Sequence, residues 1–441
     1  MNHAKWAWRS WMDWAEGGVL VLTAPFLLFP TVKPLWTAAA LVVILLTWLA
    51  RGILTKSPWP QTPLNGALLV WSVMVGVGVL VTAMPELTLA KATGLFLGIA
   101  VWRYCVYFLR APGRLRWMTL GFLLLGLALT ALGVLTTNWP SKIPFLQTLL
   151  AYLPKRLLAL PEASAAGVHA NQLGGTVVFY FPFVLSLFGG RPPRRRWLWR
   201  LGIACATLGI AGLLALTQSR SAWLGMWGGA LALLLLWALM PLAKSPRRWL
   251  LAAAAGLLLL AMVGTWLIGP ERLQRLIEEP SGMTALGSLT SLNFRYEVWR
   301  WALAAVQDFP FTGCGLGTFR QVVRLLYPVN VTPTYDIAHA HNIFLQVALD
   351  VGLPGLIAYL ALLALAILSG LQTALRNTQL RAPALGLTAG LAALHIYGLM
   401  DALAPGSKPG VIFWYALGML TALAQLPCAP HTPSDPQALP I

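Results

Sequence analysis

Charge is what this sequence has least of. Only 10% of its 441 residues are Asp, Glu, Lys or Arg, against about a quarter in an ordinary soluble domain. Hydrophobic residues make up 58% and mean hydropathy is +0.72. That balance excludes a water-soluble globular chain and points to a bilayer. Cysteine is also scarce: Cys105, Cys205, Cys314 and Cys428 are scattered, with no C-x-x-C pair, which argues against a disulfide framework and against cysteine-ligated zinc. The 31 Lys and Arg outnumber the 13 Asp and Glu. Their distribution argues against nucleic acid as the partner, because they are parcelled into short loops between apolar runs.

What the chain does have is apolar runs close to the ~20 residues needed to cross ~30 Å of hydrocarbon. They predict an all-α polytopic membrane protein of about twelve transmembrane helices, near residues 18–30, 35–50, 66–84, 87–107, 117–136, 174–188, 201–217, 222–240, 249–269, 343–369, 384–403 and 411–426. The first run lacks a small-residue cleavage site and reads as a retained helix, not a signal peptide. Basic residues gather in alternate loops: Arg51 and Lys56; Arg110, Arg114 and Arg116; Arg191, Arg194, Arg195, Arg196 and Arg200; Lys244, Arg247 and Arg248; Arg376 and Arg381. The positive-inside rule then puts these loops and both termini in the cytoplasm. Residues 1–426 form a single transmembrane domain, with outer loops at 137–173 and 270–342. The Pro-rich tail 427–441 is expected to be disordered.

The outer loops are not featureless. Phe294, Val298, Trp301 and Ala305 recur at spacings of four, three and four in "NFRYEVWRWALAAVQDF", one apolar stripe of a helix. "ERLQRLIEE" repeats the pattern with Leu273, Leu276 and Ile277. Both helices are expected at the outer interface, with Trp299 and Trp301 at headgroup level. "GCGLGTF" at 313–319 resembles a dinucleotide loop, but no strand precedes it, so it reads as a tight turn using glycine's positive φ.

A few polar residues stand out against this background. Arg220 lies in "TQSRSAWLG", a very short outer hairpin, and Arg295 lies on the amphipathic outer helix. Each is either a snorkelling or solvated arginine or a grip on an anion, for which the guanidinium's planar fork suits a diphosphate. His339 and His341 in "YDIAHAHNIFLQ" fall where a polar loop becomes an apolar run, followed by Asn342. An imidazole there is either a polar cap or a proton acceptor for a hydroxyl near neutral pH. A zinc site would need more ligands, and none lies at suitable spacing. His169 and Asn171 stand similarly before the sixth run, with Asn171 as the expected helix cap. Lys91, inside an apolar run, needs a partner that the sequence does not name, and His395 and Asp401 are likewise unassigned.

Together "TQSRSAWLG", "RYEVWRWALAAVQDFPFTGCGLGTF" and "HAHNIFLQVALDVGLPGL" resemble the core of the O-antigen ligase and polymerase superfamily, over about residues 165–360. The resemblance implies a GT-C-like glycosyltransferase with no cofactor and no metal, in the bacterial inner membrane with its active site facing the periplasm. The donor would be a glycan on undecaprenyl diphosphate and the acceptor lipid A-core. Arg220 and Arg295 match the diphosphate-binding arginines and His341 the catalytic histidine. His339, Asn342, His169, Asn171 and Gln218 are candidates for supporting or acceptor-binding roles, and Glu162, Glu297 and Asp336 for helpers. A diphosphate is already a good leaving group, so one inverting displacement suffices, without the carboxylate pair of glycosidases. Compactness favours a ligase over an O-antigen polymerase or an O-linked protein oligosaccharyltransferase. A transporter would place its ionisable residues at the midplane.

Overall fold

The computed structural model describes residues 2–111, 113–137, 139, 168–190, 196–242, 244–268, 290–329 and 337–427. Outside them lie "ERLQRLIEE", Glu162, Asp336, most of the first outer loop and all but the first residue of the tail. Among the described residues every regular element is a helix, and the one β-bridge pairs Thr137 with Val168. In chain order they are α1 (Asn2–Leu28), α2 (Pro34–Thr55), α3 (Asn65–Leu80), α4 (Pro85–Phe108), α5 (Leu115–Thr136), α6 (Ala170–Val178), α7 (Tyr180–Ser186) and α8 (Arg196–Thr217). Then follow α9 (Arg220–Ala238), α10 (Lys244–Ile268), α11 (Thr290–Asp308), α12 (Phe319–Leu326), α13 (Ile343–Arg376), α14 (Arg381–Gly398) and α15 (Val411–Gln425).

All twelve expected apolar runs are helical, the sixth as α6 and α7 in succession. Seven stretches are long and apolar enough to cross a membrane: Pro34–Thr55, Pro85–Phe108, Leu115–Thr136, Ala170–Gly189, Trp197–Thr217, Arg220–Ala238 and Ile343–Arg376. Several boundaries differ from expectation. The first run is the second half of the longer α1, and the third stops at Leu80. The eleventh stops at Gly398, which leaves Asp401 in the loop beyond it.

The centre of the molecule is built from α14, buried along nearly its whole length against α9, α7 and α13. Small residues allow the approach: a Cβ added at Gly225 of α9 would meet the Ala393 carbonyl at 2.7 Å, and one at Gly229 the Ala393 Cβ at 2.6 Å. Where lipid surrounds the bundle, such close backbone packing supplies the attraction that burial from water supplies elsewhere. Around this centre α13 packs on α3 and α15, and α15 packs on α4.

The element that positions the site is α13. Asn342 caps it, its Oδ1 accepting the Phe344 and Leu345 N–H at 2.9 and 3.1 Å. The helix then breaks at Gly352 (φ 72°, ψ 177°), two residues before Pro354. The backbone groups freed there are taken up by the 310–317 turn, through Leu353 N–H to the Pro310 carbonyl and Cys314 N–H to the Leu349 carbonyl, both 2.7 Å. A Cβ at Gly352 would stand 2.3 Å from the Phe311 carbonyl, so only glycine permits the seat. Gly313, Gly315 and Gly317 carry φ of +67°, +97° and +75°, the tight-turn reading of "GCGLGTF". Helix α11 is thereby tied to α13, its Val298, Ala302 and Ala305 closing a second small core with Phe319, Val323, Ile337 and Leu349.

Candidate functional site

Three segments far apart in sequence converge at the N-terminal end of α13. The loop before it brings His339 and His341, the loop after α14 brings Asp401, and α11 brings Arg295. His339 Nε2 lies 3.3 Å and His341 Nδ1 3.6 Å from the same Asp401 Oδ1, and that oxygen also accepts the Ala402 N–H at 2.9 Å. The two imidazoles are 4.3 Å apart between centroids, and the edge of Phe294 meets His341. His341 adopts φ +51°, a left-handed conformation that is uncommon and costly for a residue with a Cβ. Trp299, expected at the headgroups, instead donates its indole N–H to the His341 carbonyl at 3.3 Å.

A hydrogen bond fixes one tautomer and the neighbouring carboxylate favours the other. His339 Nδ1 accepts the His341 backbone N–H at 3.2 Å, so in the neutral ring the proton sits on Nε2 and points at Asp401. His341 Nδ1 is buried and makes no hydrogen bond, but Asp401 is the anion beside it, which favours a proton on Nδ1. Its Nε2 is then left with a free lone pair. The side chain keeps 16% exposure, and that exposure falls away from Nδ1.

Burial, reinforced by His339 and opposed by Asp401, pushes the His341 imidazole down to about 3, with Arg295 and His169 adding to the drop. His339 is lowered too, by burial first. Burial pushes the Asp401 carboxyl up, but the imidazoles, the Ala402 N–H and Arg295 outweigh it and hold it below the ordinary carboxylate value. The site is thus an anionic carboxylate carrying two neutral imidazoles.

Arg295 stands beside this cluster and Arg220 beside Arg295. Arg295 donates Nε–H to the Met400 carbonyl at 2.7 Å, next to Asp401. Arg220 is the first residue of α9, after a two-residue hairpin of Gln218 and Ser219, and stands close enough to Arg295 for their charges to act on each other. Gln218 is buried with φ +51°. His169 is near enough to act on both site histidines.

Other sequence candidates have structural partners. His169, not Asn171, caps α6: its Nδ1 accepts the Asn171 N–H at 3.1 Å. A cap must precede the helix, and Asn171 already lies in its first turn, where its carbonyl accepts the Tyr397 hydroxyl at 3.0 Å. Asn342 is a cap that also reaches the Leu399 carbonyl, at 3.3 Å, clamping α13 to the segment bearing Asp401. Glu297 accepts the Trp301 indole N–H at 2.8 Å. His395 is a core residue, its Nδ1 on the Leu391 carbonyl and its Nε2 on the Tyr359 hydroxyl, both at 2.7 Å. Lys91 finds its partner in Asp350, at 2.9 Å.

Sequence spacing showed no third metal ligand beside the two histidines, yet the fold supplies one. His339, His341 and Asp401 each offer an atom, all within 4.8 Å of one another. The tautomers weigh against a metal nonetheless. With Nδ1 accepting a backbone N–H, His339 Nε2 carries a hydrogen and has no lone pair to give. Asp401 was the residue missed; its one sequence signal is an acid at the end of an apolar run, in "YGLMDALAPG".

Long apolar helices packed through glycines, with a polar cluster where their ends meet the connecting loops, define an integral membrane protein with a site at one end of its bundle. Residues 205–360 match the family model described as O-antigen ligase. The matched span holds Arg220, Arg295, His339 and His341; Asp401, His169 and Lys91 lie outside it. No curated protein matches the chain.

Proposed function

We propose that the protein is an O-antigen ligase that transfers a glycan from undecaprenyl diphosphate to lipid A-core at the periplasmic face of the bacterial inner membrane. The transfer is metal-independent and inverting. It is carried out by a GT-C-like fold of about twelve membrane-spanning helices, with both termini in the cytoplasm. The observation that carries this reading is the Asp401–His341 pair beside Arg295, which Arg220 stands near in turn. Asp401 behind Nδ1 leaves His341 Nε2 free to take a proton, the same division of labour by which a buried aspartate orients a catalytic histidine in hydrolases.

In the proposed step an acceptor hydroxyl oxygen attacks the anomeric carbon while His341 Nε2 takes its proton. The bond from that carbon to the diphosphate oxygen breaks, and undecaprenyl diphosphate leaves with the electron pair. Arg220 and Arg295 stabilise the charge that develops on it. Arg295 is one of the groups that lower the His341 imidazole. Neutralising it with a bound diphosphate therefore raises that imidazole, and donor binding makes the base stronger at the moment it is needed.

The test is transfer by the purified protein in detergent, from an undecaprenyl-diphosphate oligosaccharide to lipid A-core, read as gel mobility of the lipid A product. A shifted band that disappears with His341→Ala is the expected result. Donor glycans that lengthen while lipid A stays unshifted would mean a polymerase instead, and an untouched donor would sink glycosyl transfer altogether.

A further inference from the structure

The loop that carries the two histidines is held from below by a chain of buried polar groups outside the chemistry derived above. Ala340, between His339 and His341, donates its N–H to Gln346 Oε1 at 2.9 Å. Gln346, 1% exposed, donates its Nε2 to Asp350 Oδ1 at 2.9 Å. Asp350, one turn further along α13, also accepts the Gly317 N–H at 2.9 Å and pairs with Lys91 of α4. A carboxylate only accepts, so Asp350 dictates which end of the Gln346 amide faces it. The carbonyl end is thereby aimed at Ala340.

We infer that Gln346 is a positioning residue, which holds the His339–His341 loop in register with Asp401 and is itself keyed by the Lys91–Asp350 pair. The left-handed conformation of His341 needs such support. A strained residue persists only where its surroundings over-determine it, and the Ala340 N–H is the bond that anchors the centre of the loop. The same chain gives Lys91 and Asp350 a purpose that neither the diphosphate nor the acceptor requires. It reaches the glycine turn through Gly317 and the bundle through α4, so the loop is tied to two rigid bodies.

For its activity readout this inference rests on the ligase reading; its structural readout does not. Gln346→Leu removes the acceptor for Ala340 and is expected to lower turnover about ten- to a hundredfold, the scale of effect of a small misplacement of catalytic groups, with KM for the donor little changed. Gln346→Glu keeps an acceptor for Ala340 but sets two carboxylates together, which cannot both ionise at close range. The other titratable groups around it are Lys91, Cys314, His339 and His341. Its turnover is expected to recover as pH falls, and Gln346→Glu combined with Asp350→Asn, which exchanges the two side-chain types, restores it at neutral pH. A packing role alone predicts neither recovery.

Independently of transfer, carbethoxylation of His341 by diethyl pyrocarbonate, followed by peptide mass spectrometry, is expected to run several-fold faster in Gln346→Leu than in the wild type. Wild-type turnover in a folded Gln346→Leu, no recovery in the exchanged pair, or an unchanged carbethoxylation rate would each overturn the assignment. Absence of transfer by the wild type would strike the ligase reading alone, and the carbethoxylation rate would still decide this one.

Discussion

Among the described residues, two of the buried clusters of ionisable side chains are built on opposite principles. In the first, Asp13 and Glu16 of α1 meet Arg51 of α2, Arg103 of α4 and Arg114 beyond it. Arg51 lies 2.5 Å from Asp13 and 2.8 Å from Glu16, Arg103 pairs with Glu16 and Arg114 with Asp13. Arg103 is fully buried, its Nη2 on the Pro58 carbonyl at 3.0 Å, and the Tyr107 ring lies under Arg51 and Arg103. In the second, one carboxylate serves two neutral imidazoles, and with the His341 proton on Nδ1 beside Asp401 its Nε2 carries none. The first cluster sets three arginines around two carboxylates, pairs each of them with at least one, and locks three helices together. The second leaves a lone pair unspent, and a site for proton transfer needs one. Burial of charge is common to both, so burial by itself does not mark a functional site; a neutral base that no ion pair claims does.

The sharpest way to break the comparison is to remove one member from each cluster. Asp401→Asn should cut transfer by about 10²–10⁴-fold, the range seen when the aspartate behind a catalytic histidine is neutralised, while thermal unfolding in detergent barely moves. Arg103→Ala should do the reverse. It removes one of the two arginines paired with Glu16 and the donor to the Pro58 carbonyl and should cost about 1–3 kcal/mol of stability, read as a lowered unfolding midpoint, and whatever protein stays folded should keep its turnover. If Arg103→Ala lowered turnover of the folded fraction as far as Asp401→Asn does, the division between the clusters would fail.

A smaller effect is expected at the arginines. Arg220→Lys and Arg295→Lys retain the charge but lose the planar fork, and each should weaken transfer about tenfold, mostly through donor KM. A drop confined to turnover would move the arginines from binding to chemistry.

The smallest effect is expected from pH, and its sign is informative. With its folded-state value near 3, His341 stays neutral between pH 7 and 5, so the free enzyme should keep its base across that range. The unfolded chain takes up this proton first, near the ordinary value of about 6.5. The stability His341 contributes is therefore complete above that value and is lost as pH falls from about 6.5 toward 3. If kcat/KM instead followed a single group with a pKa near 6.5, His341 would not be held as the geometry describes.

The helices were legible because their signal is local. A run of apolar residues long enough to span a bilayer is helical wherever it packs, and all twelve runs are. The amphipathic stripe of Phe294, Val298, Trp301 and Ala305 was legible for the same reason, and it faces a small core. The positive-inside reading was less complete. Arg51 and Arg114 counted there as free loop charges, whereas each is neutralised by an acid of α1, a pairing across 38 and 101 residues that no periodicity reveals. Likewise Asn171 looked like a helix cap and His169 a candidate for a supporting or acceptor-binding role, until the backbone showed which of them precedes the helix.

By itself the sequence determined the class of this protein, an all-helical membrane chain, and the two places where unusual polar residues gather, the hairpin of Arg220 and the loop of His339 and His341. Only the tertiary structure decided what those residues do together. It brought Asp401 across 60 residues to the histidines, set Arg295 against Met400 and Arg220 beside it, and gave Lys91 its partner in Asp350. The physical reason is one of range. Helix formation and membrane burial are settled within a score of neighbouring residues, whereas the charge pairing, tautomer and basicity of a side chain depend on atoms that only packing brings near.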